Sequence, residues 1–177
     1  MDIEKVEVGF LKENCYVLKK NNKCLIIDPG CEYEKIKEAM GNLELLGILI
    51  THRHFDHIGA LEEFIRDYNP FILDFKTSKE DTYKIGPFKF AVIYNPGHSN
   101  DSVTYYFKDD NVMFVGDFIF YRSVGRTDLA TGSIEEMNKS IKKIAKYNDA
   151  VIYPGHGKST TLSDEIKNNP YFKIERN

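Results

Sequence analysis

Four short apolar runs in this chain each end on a histidine or an aspartate, and that repetition constrains the fold more than any other feature. Leu45-Leu46-Gly47-Ile48-Leu49-Ile50 runs into Thr51-His52-Arg53-His54-Phe55-Asp56-His57. Phe90 to Tyr94 leads through Asn95-Pro96-Gly97 to His98, and Ala150 to Tyr153 leads through Pro154-Gly155 to His156. Asn111 to Val115 leads through Gly116 to Asp117. Runs of this length, rich in β-branched and aromatic residues and unbroken by charge, predict buried strands. Sheets place ligands outside the carboxyl ends of their strands, and Gly or Pro-Gly supplies the turn that aims the side chain. The pattern therefore calls for a layered α/β fold with four strand ends converging on one point.

The residue types at those ends are metal donors. His52 and His54 are two apart, so on an extended backbone they face the same side. Asp56 and His57 follow where the chain turns into a helix, with Ile58, Leu61, Phe64, Ile65 and Tyr68 at helical spacing out to about Tyr68. A single histidine after a strand is an ordinary structural residue. All five of the chain's histidines fall at such places, together with Asp56 and Asp117, and that concentration points to metal. Five imidazoles and two or three carboxylates exceed what one tetrahedral ion can use, so two adjacent divalent ions are expected. Nitrogen and oxygen donors without thiolate suit zinc first, and iron or manganese fit the same set.

The order His52-x-His54-x-Asp56-His57, His98, Asp117, His156 resembles the metallo-β-lactamase superfamily, most of all its glyoxalase II-type (hydroxyacylglutathione hydrolase-like) branch. Leu25-Ile26-Ile27-Asp28-Pro29-Gly30 is similar to that family's strand-turn motif. Ser123-Val124-Gly125-Arg126-Thr127-Asp128 is similar to a loop of the glyoxalase II and persulfide dioxygenase branches. Leu162 to Phe172 is similar to its closing helix. The resemblance implies a four-layer αββα sandwich, two mixed sheets with helices on the outer faces, as one domain over residues 1–177. It implies His52, His54 and His98 on a first ion and Asp56, His57 and His156 on a second, with Asp117 bridging and Asp28 near the metals. It further implies a metal-bridging hydroxide as nucleophile, with Asp56 both ligand and proton shuttle.

The implied reaction is hydrolysis of a small acyl thioester such as S-lactoylglutathione. A thiolate, with a parent pKa of roughly 8.5, leaves without a strong general acid; an amide needs one, and every histidine is already assigned to metal. The cysteine that two of the three β-lactamase subclasses carry near Asp117 is absent, which speaks against antibiotic hydrolysis, although the third subclass lacks it too. The C-terminal helical domain that helps larger glyoxalase II enzymes hold glutathione is not expected, since few residues follow His156. The interval from His57 to His98 is also shorter than in those relatives. Arg126, with Tyr121 and Arg122 nearby, is the candidate contact for a substrate carboxylate, although an ion pair holding the loop would explain Arg126 as well. Two alternatives share the motif set: a persulfide dioxygenase with one iron on His52, His98 and Asp117, and a lactonase or other ester hydrolase.

The remaining sequence sets expectations for the scaffold. Hydrophobic residues at 42% and charged residues at 29% of 177 are ordinary for a globular domain. A net charge of −3 gives no general attraction to nucleic acid. No basic-then-apolar leader opens the chain, no apolar run reaches the roughly 18 residues of a bilayer span, and Cys15, Cys24 and Cys31 read as reduced thiols, so a cytoplasmic location is expected. Strands are predicted at Ile3–Val8, Cys15–Leu18 and Lys23–Ile27 with a hairpin at Asn21-Asn22, and a helix over Glu32–Met40 stopped by Gly41. A βαβ-like unit should run from Leu45 to Phe75, and hairpins should turn at Ile85–Phe88 and Lys108–Asp110. Phe118–Gly132 reads as loop. Ser133-Ile134-Glu135-Glu136 is a capping box opening a helix that buries Ile134, Met137, Ile141 and Ile144 and exposes its lysines. A last helix should start near Ser163.

Overall fold

A computed structural model describes residues 1–173 of the chain. The first sheet contains β1 (Asp2–Val8), β2 (Glu13–Lys20), β3 (Lys23–Ile27), β4 (Glu44–Leu49) and β5 (Phe71–Leu73), in that spatial order. Its first three strands pair antiparallel, and β3, β4 and β5 pair parallel. Asn21 and Asn22 form the β2–β3 turn with φ of 53° and 59°, the two left-handed residues that a tight hairpin requires. The parallel pairs need crossovers, supplied by α1 (Tyr33–Met40), then by α2 (Phe55–Ile58) and α3 (Leu61–Tyr68).

The second sheet is built from β6 (Thr82–Ile85), β7 (Phe88–Tyr94), β8 (Val103–Phe107), β9 (Val112–Gly116), β12 (Val151–Pro154) and β13 (Thr160–Thr161), ordered β13-β12-β9-β8-β7-β6. Only β9 and β12 pair parallel, across α4 (Ile134–Ile144). A small ribbon of β10 (Ile119–Phe120) and β11 (Ser123–Val124) precedes α4, and α5 (Leu162–Asn168) follows β13.

Alternation along the strands generates the layers. Cys15 and Val17 of β2, with Cys24 and Ile26 of β3, pack against Ile36, Met40 and Phe64 of the helices. Their neighbours Tyr16, Leu18, Leu25 and Ile27 face the opposite way, onto Phe90, Tyr105, Phe107 and Phe114 of the second sheet. The outer face of that sheet, with Met113, Val115 and Ile152, packs on Met137, Ile141, Ile144 and Leu162. Three apolar layers between four layers of structure make the αββα sandwich. Each fully buried large side chain contributes about 1.5–3 kcal/mol of apolar transfer.

The two sheets are also joined by polar links, and these gather at the end where the ligand strands terminate. The Tyr105 hydroxyl lies 2.8 Å from both Ile50 O and Leu73 O. Val103 N donates to Thr51 O at 2.8 Å, and Tyr16 Oη donates to Pro154 O at 2.6 Å. Arg53, between the two ligand histidines of the motif, is anchored by Asp74 just past β5, with Nε at 2.8 Å. Asp74 is buried and also accepts from Thr77 N.

Three expectations are corrected. The helix after the ligand cluster is two helices, broken at Gly59-Ala60, because the Pro29-Gly30 turn packs into it: Ala60 N donates to Pro29 O, and a Cβ on Gly59 would overlap the Gly30 carbonyl. The stretch Phe118–Gly132 contains the β10–β11 ribbon. Only half of the capping box forms: Ser133 Oγ accepts from Glu136 N, but Ser133 N donates to Gly97 O, and the Glu136 carboxylate pairs with Lys139. Ile134 is 43% exposed, since it lies in the first turn, before α4 meets the sheet. The last helix starts near Ser163 as expected, at Leu162, capped by Thr161.

Two outcomes are expected from these contacts. A Cβ on Gly30 would overlap the Asp56 carbonyl oxygen, so Gly30→Ala should lose at least about 1–3 kcal/mol in urea unfolding. Asp74 is partly desolvated, which pushes its carboxyl up, but its bonds to Arg53 and Thr77 outweigh burial and hold it below its usual range. A depressed carboxyl stabilises above its unfolded pKa of about 3.9, and that contribution fades as pH falls through the native value. Asp74→Asn should therefore flatten the acid limb of stability below about pH 4, measured by urea unfolding across pH.

Candidate metal centre

All seven predicted donors converge at one end of the sandwich. His52 and His54 follow β4, Asp56 and His57 lie in α2, His98 follows β7, Asp117 follows β9 and His156 follows β12. Their ligand atoms form two compact groups, His52–His54–His98 and Asp56–His57–His156, each with its atoms within 4.8 Å of one another. His54 Nδ1 lies 3.1 Å from His52 Nε2 and 3.0 Å from His98 Nε2. In the second group His156 Nε2 lies 3.2 Å from Asp56 Oδ2. Asp117 stands between them, its Oδ1 3.3 Å from His57 Nε2 and its Oδ2 3.6 Å from both His98 Nε2 and His156 Nε2.

Four of the five imidazoles have their far nitrogen occupied, and that sets which way the lone pair points. His98 Nδ1 donates to Arg126 O at 2.8 Å and His156 Nδ1 donates to Leu11 O at 3.1 Å. His57 Nδ1 donates to Asp28 Oδ2 at 2.9 Å. Thr51 Oγ1 gives its proton to Asp28 Oδ2, so it accepts from His52 Nδ1 at 3.1 Å. Each ring then turns an unprotonated nitrogen inward. His57 Nε2 and Asp117 Oδ1 are buried with no hydrogen-bond partner among the described residues. Acceptors facing acceptors at 3–4 Å repel unless a cation lies between them, so the donor set fits divalent metal. Asp28 also falls within ligand distance of His52 and His57. Its oxygens already accept from Thr51 N, Thr51 Oγ1 and His57 Nδ1, which makes it an orienting carboxylate.

Electrostatics without metal agree with this arrangement. Burial and the neighbouring rings push His52 and His54 below the usual imidazole range. Burial opposes a charge on His57 as well, but the nearby Asp117 carboxylate and the ring's bond to Asp28 win and raise it well above that range. His156 is raised by Asp56 and Asp117 against burial. Burial likewise opposes ionisation of Asp117, yet His57 holds its carboxyl far below normal. The carboxylates around His57 and His156 thus favour positive charge on that side of the centre.

The Pro-Gly-His turn has a specific reason here. A Cβ on Gly155 would overlap Asp117 Oδ1 and press on the His57 ring, so the glycine permits close approach of the two groups. The centre opens into a groove of about 840 Å³, bordered by Leu11, Phe55, Leu129 and Ala130 besides the donors. Arg126 borders it too, but its guanidinium is engaged by Asp128 through two 2.7 Å bonds. Tyr121 lies outside the groove lining, its ring between Arg122 and Lys158. Sequence reasoning missed Glu13 and Asn14 at the head of β2 and the Arg53–Asp74 anchor. The one available signal was a Glu-Asn pair entering a buried strand. All three cysteines are free, and among the described residues no helix is long and apolar enough to cross a membrane.

Comparison with known proteins follows the same lines. The family profile of the metallo-beta-lactamase superfamily matches residues 8–72 and 66–156. The probable metallo-hydrolase YqgX of Bacillus subtilis is 33% identical over 97% of both chains. The hydroxyacylglutathione hydrolase GloC of Haemophilus influenzae is 29% identical, covering 97% of this chain and 98% of its own. Among solved structures, the BLEG-1 B3 metallo-beta-lactamase superposes with a TM-score of 0.91 at 30% identity, over 96% of this chain and 99% of that one. TTHA1623 in a di-iron-bound form gives 0.86 at 29%, over 95% and 99%. Fold, donor order and sequence relationship coincide along nearly the whole chain, which belongs to the metallo-β-lactamase superfamily.

Proposed function

We propose that this protein is a dinuclear metallohydrolase that cleaves small acyl thioesters. The observation that carries the reading is the inward turn of the imidazoles: two complete donor triads, with Asp117 between them, leave acceptor atoms that a pair of cations would satisfy. His52, His54 and His98 would hold one ion and Asp56, His57 and His156 the other, with Asp117 shared. Zinc suits the donors best, and the di-iron form of TTHA1623 supports iron in such a site. When bound, two divalent ions supply a water that ionises near neutral pH and a Lewis acid for a carbonyl oxygen.

The chain's own groups define the rest. Asp56 lines the groove beside His156 and is the carboxylate placed to pass a proton during turnover. Every histidine is turned to the donor set, and no other imidazole exists to protonate a departing amine. A thiolate leaves without that help. Leu11, Phe55, Leu129 and Ala130 offer an apolar wall to the acyl group or its thiol carrier. The kinship with GloC, named a hydroxyacylglutathione hydrolase, supports a thioester. The competing reading is β-lactam hydrolysis, favoured by the likeness to BLEG-1.

Metal analysis of the purified protein should give about two ions per chain; one iron per chain with oxygen uptake would replace this reading with a mononuclear dioxygenase. Because His57 and His156 are raised, protons should compete for that side of the centre at a higher pH than for a free imidazole of about 6.5. Metal affinity, followed with a competing chelator, should therefore fall as pH is lowered through neutrality. Turnover of a short thioester panel should exceed that of matched amides, a β-lactam included, by orders of magnitude. Comparable rates on the β-lactam would overturn the thioesterase assignment.

A further inference from the structure

Glu13 is a buried acidic side chain behind the centre whose carboxyl group finds no hydrogen-bond partner among the described residues. It is 1% exposed, at the head of β2. Leaving such a group buried and unpaired costs stability, so the fold is better off without it unless something else requires it. Its surroundings indicate what that is. Glu13 Oε1 lies 3.7 Å from His57 Nδ1, on the same nitrogen that Asp28 holds. Glu13 Oε2 faces Gly30 at the point where that turn crosses the Asp56 carbonyl, and a Cβ on Gly30 would collide with both. Glu13 also forms an isolated antiparallel bridge with His156. Its neighbour Asn14 fixes that bridge: Asn14 N donates to Gly155 O at 2.7 Å, and Nδ2 donates to Pro154 O and Gly157 O at 3.0 and 2.9 Å. One residue therefore touches the support of all three members of the Asp56–His57–His156 triad and none of the His52–His54–His98 triad.

We propose that Glu13 is a positioning residue for that second cation: a buried carboxyl group that sits behind His57 beside Asp28 and on which this triad, rather than its neighbour, depends. The inference rests on the two-cation reading above. Carboxylates behind ligating histidines tune metal affinity by about 10–100-fold. The apolar and polar variants separate this role from a structural one, because a group kept for metal at the expense of the fold should reveal both effects.

The test uses the full-length protein stripped of metal and titrated with Zn²⁺ against a competing chelator, for wild type, Glu13→Gln and Glu13→Leu. Wild type should take two ions. Both variants should take the first ion with wild-type affinity and the second about 10–100-fold more weakly. Metal-free Glu13→Leu should melt above metal-free wild type by about 2–4 °C, as removal of roughly 1 kcal/mol of unpaired polarity predicts for this size. Unchanged affinity for both ions in Glu13→Gln overturns the inference and leaves the two-cation reading standing. A lower melting temperature or failure to fold in both variants assigns Glu13 to the scaffold and overturns it as well. Wild type that takes only one ion removes the two-cation reading itself, and the role of Glu13 with it.

Discussion

The carboxylate of Asp28 is the interaction on which the rest of the centre depends. It sits at the end of β3 with φ of 50°, and its two oxygens collect Thr51 N, Thr51 Oγ1 and His57 Nδ1 at 2.7, 2.5 and 2.9 Å. Those bonds join the end of one strand to the end of the next and to the short helix that follows. They also propagate: Thr51 Oγ1, having given its proton to Asp28, can only accept from His52. One buried carboxylate thereby sets the orientation of two imidazoles, one from each triad. Charge-assisted bonds of this kind are the strong ones, and here they are shielded from water.

Stability and chemistry draw on different parts of the sandwich. The layer between the sheets, with Phe90, Phe107 and Phe114, supplies apolar burial without polar demands. Where the ligand strands end, cross-sheet bonds from Tyr105, Val103 and Tyr16 hold them in register, and unsatisfied acceptors are tolerated there. The division is physically sensible, since a site of mutually repelling donors can be kept assembled only by a scaffold that has stability to spare.

Much of this was legible in the sequence, because donors at strand ends leave a local mark: an apolar run, a Gly or Pro-Gly, then a His or Asp. The seven donors, the hairpin at Asn21-Asn22 and the strand order around them all follow from patterns a few residues long. What was missed depends on contacts between distant segments. The break at Gly59 comes from the Pro29-Gly30 turn pressing against it, and no feature of residues 55–68 announces that. Ile134 keeps helical spacing, but spacing does not say where a helix first meets its sheet. Asp74 and Glu13 look like surface acids until the fold brings Arg53 and His57 to them. For Arg126 the sequence left substrate contact and a loop ion pair both open, and Asp128 two residues on makes the ion pair.

The link between Asn14 and Gly157 spans 143 positions, and it has a consequence for how the molecule comes into being. The supports of the His52–His54–His98 triad reach along the chain to Arg126, whose carbonyl holds His98. The Asp56–His57–His156 triad cannot form until the hairpin of β1 and β2 closes on the turn after β12. Contacts of such high sequence separation form late, because loop closure must precede any return from packing. The two halves of the centre therefore differ in how far along the chain they are tied, and the half that closes the longer loop should be the last to assemble.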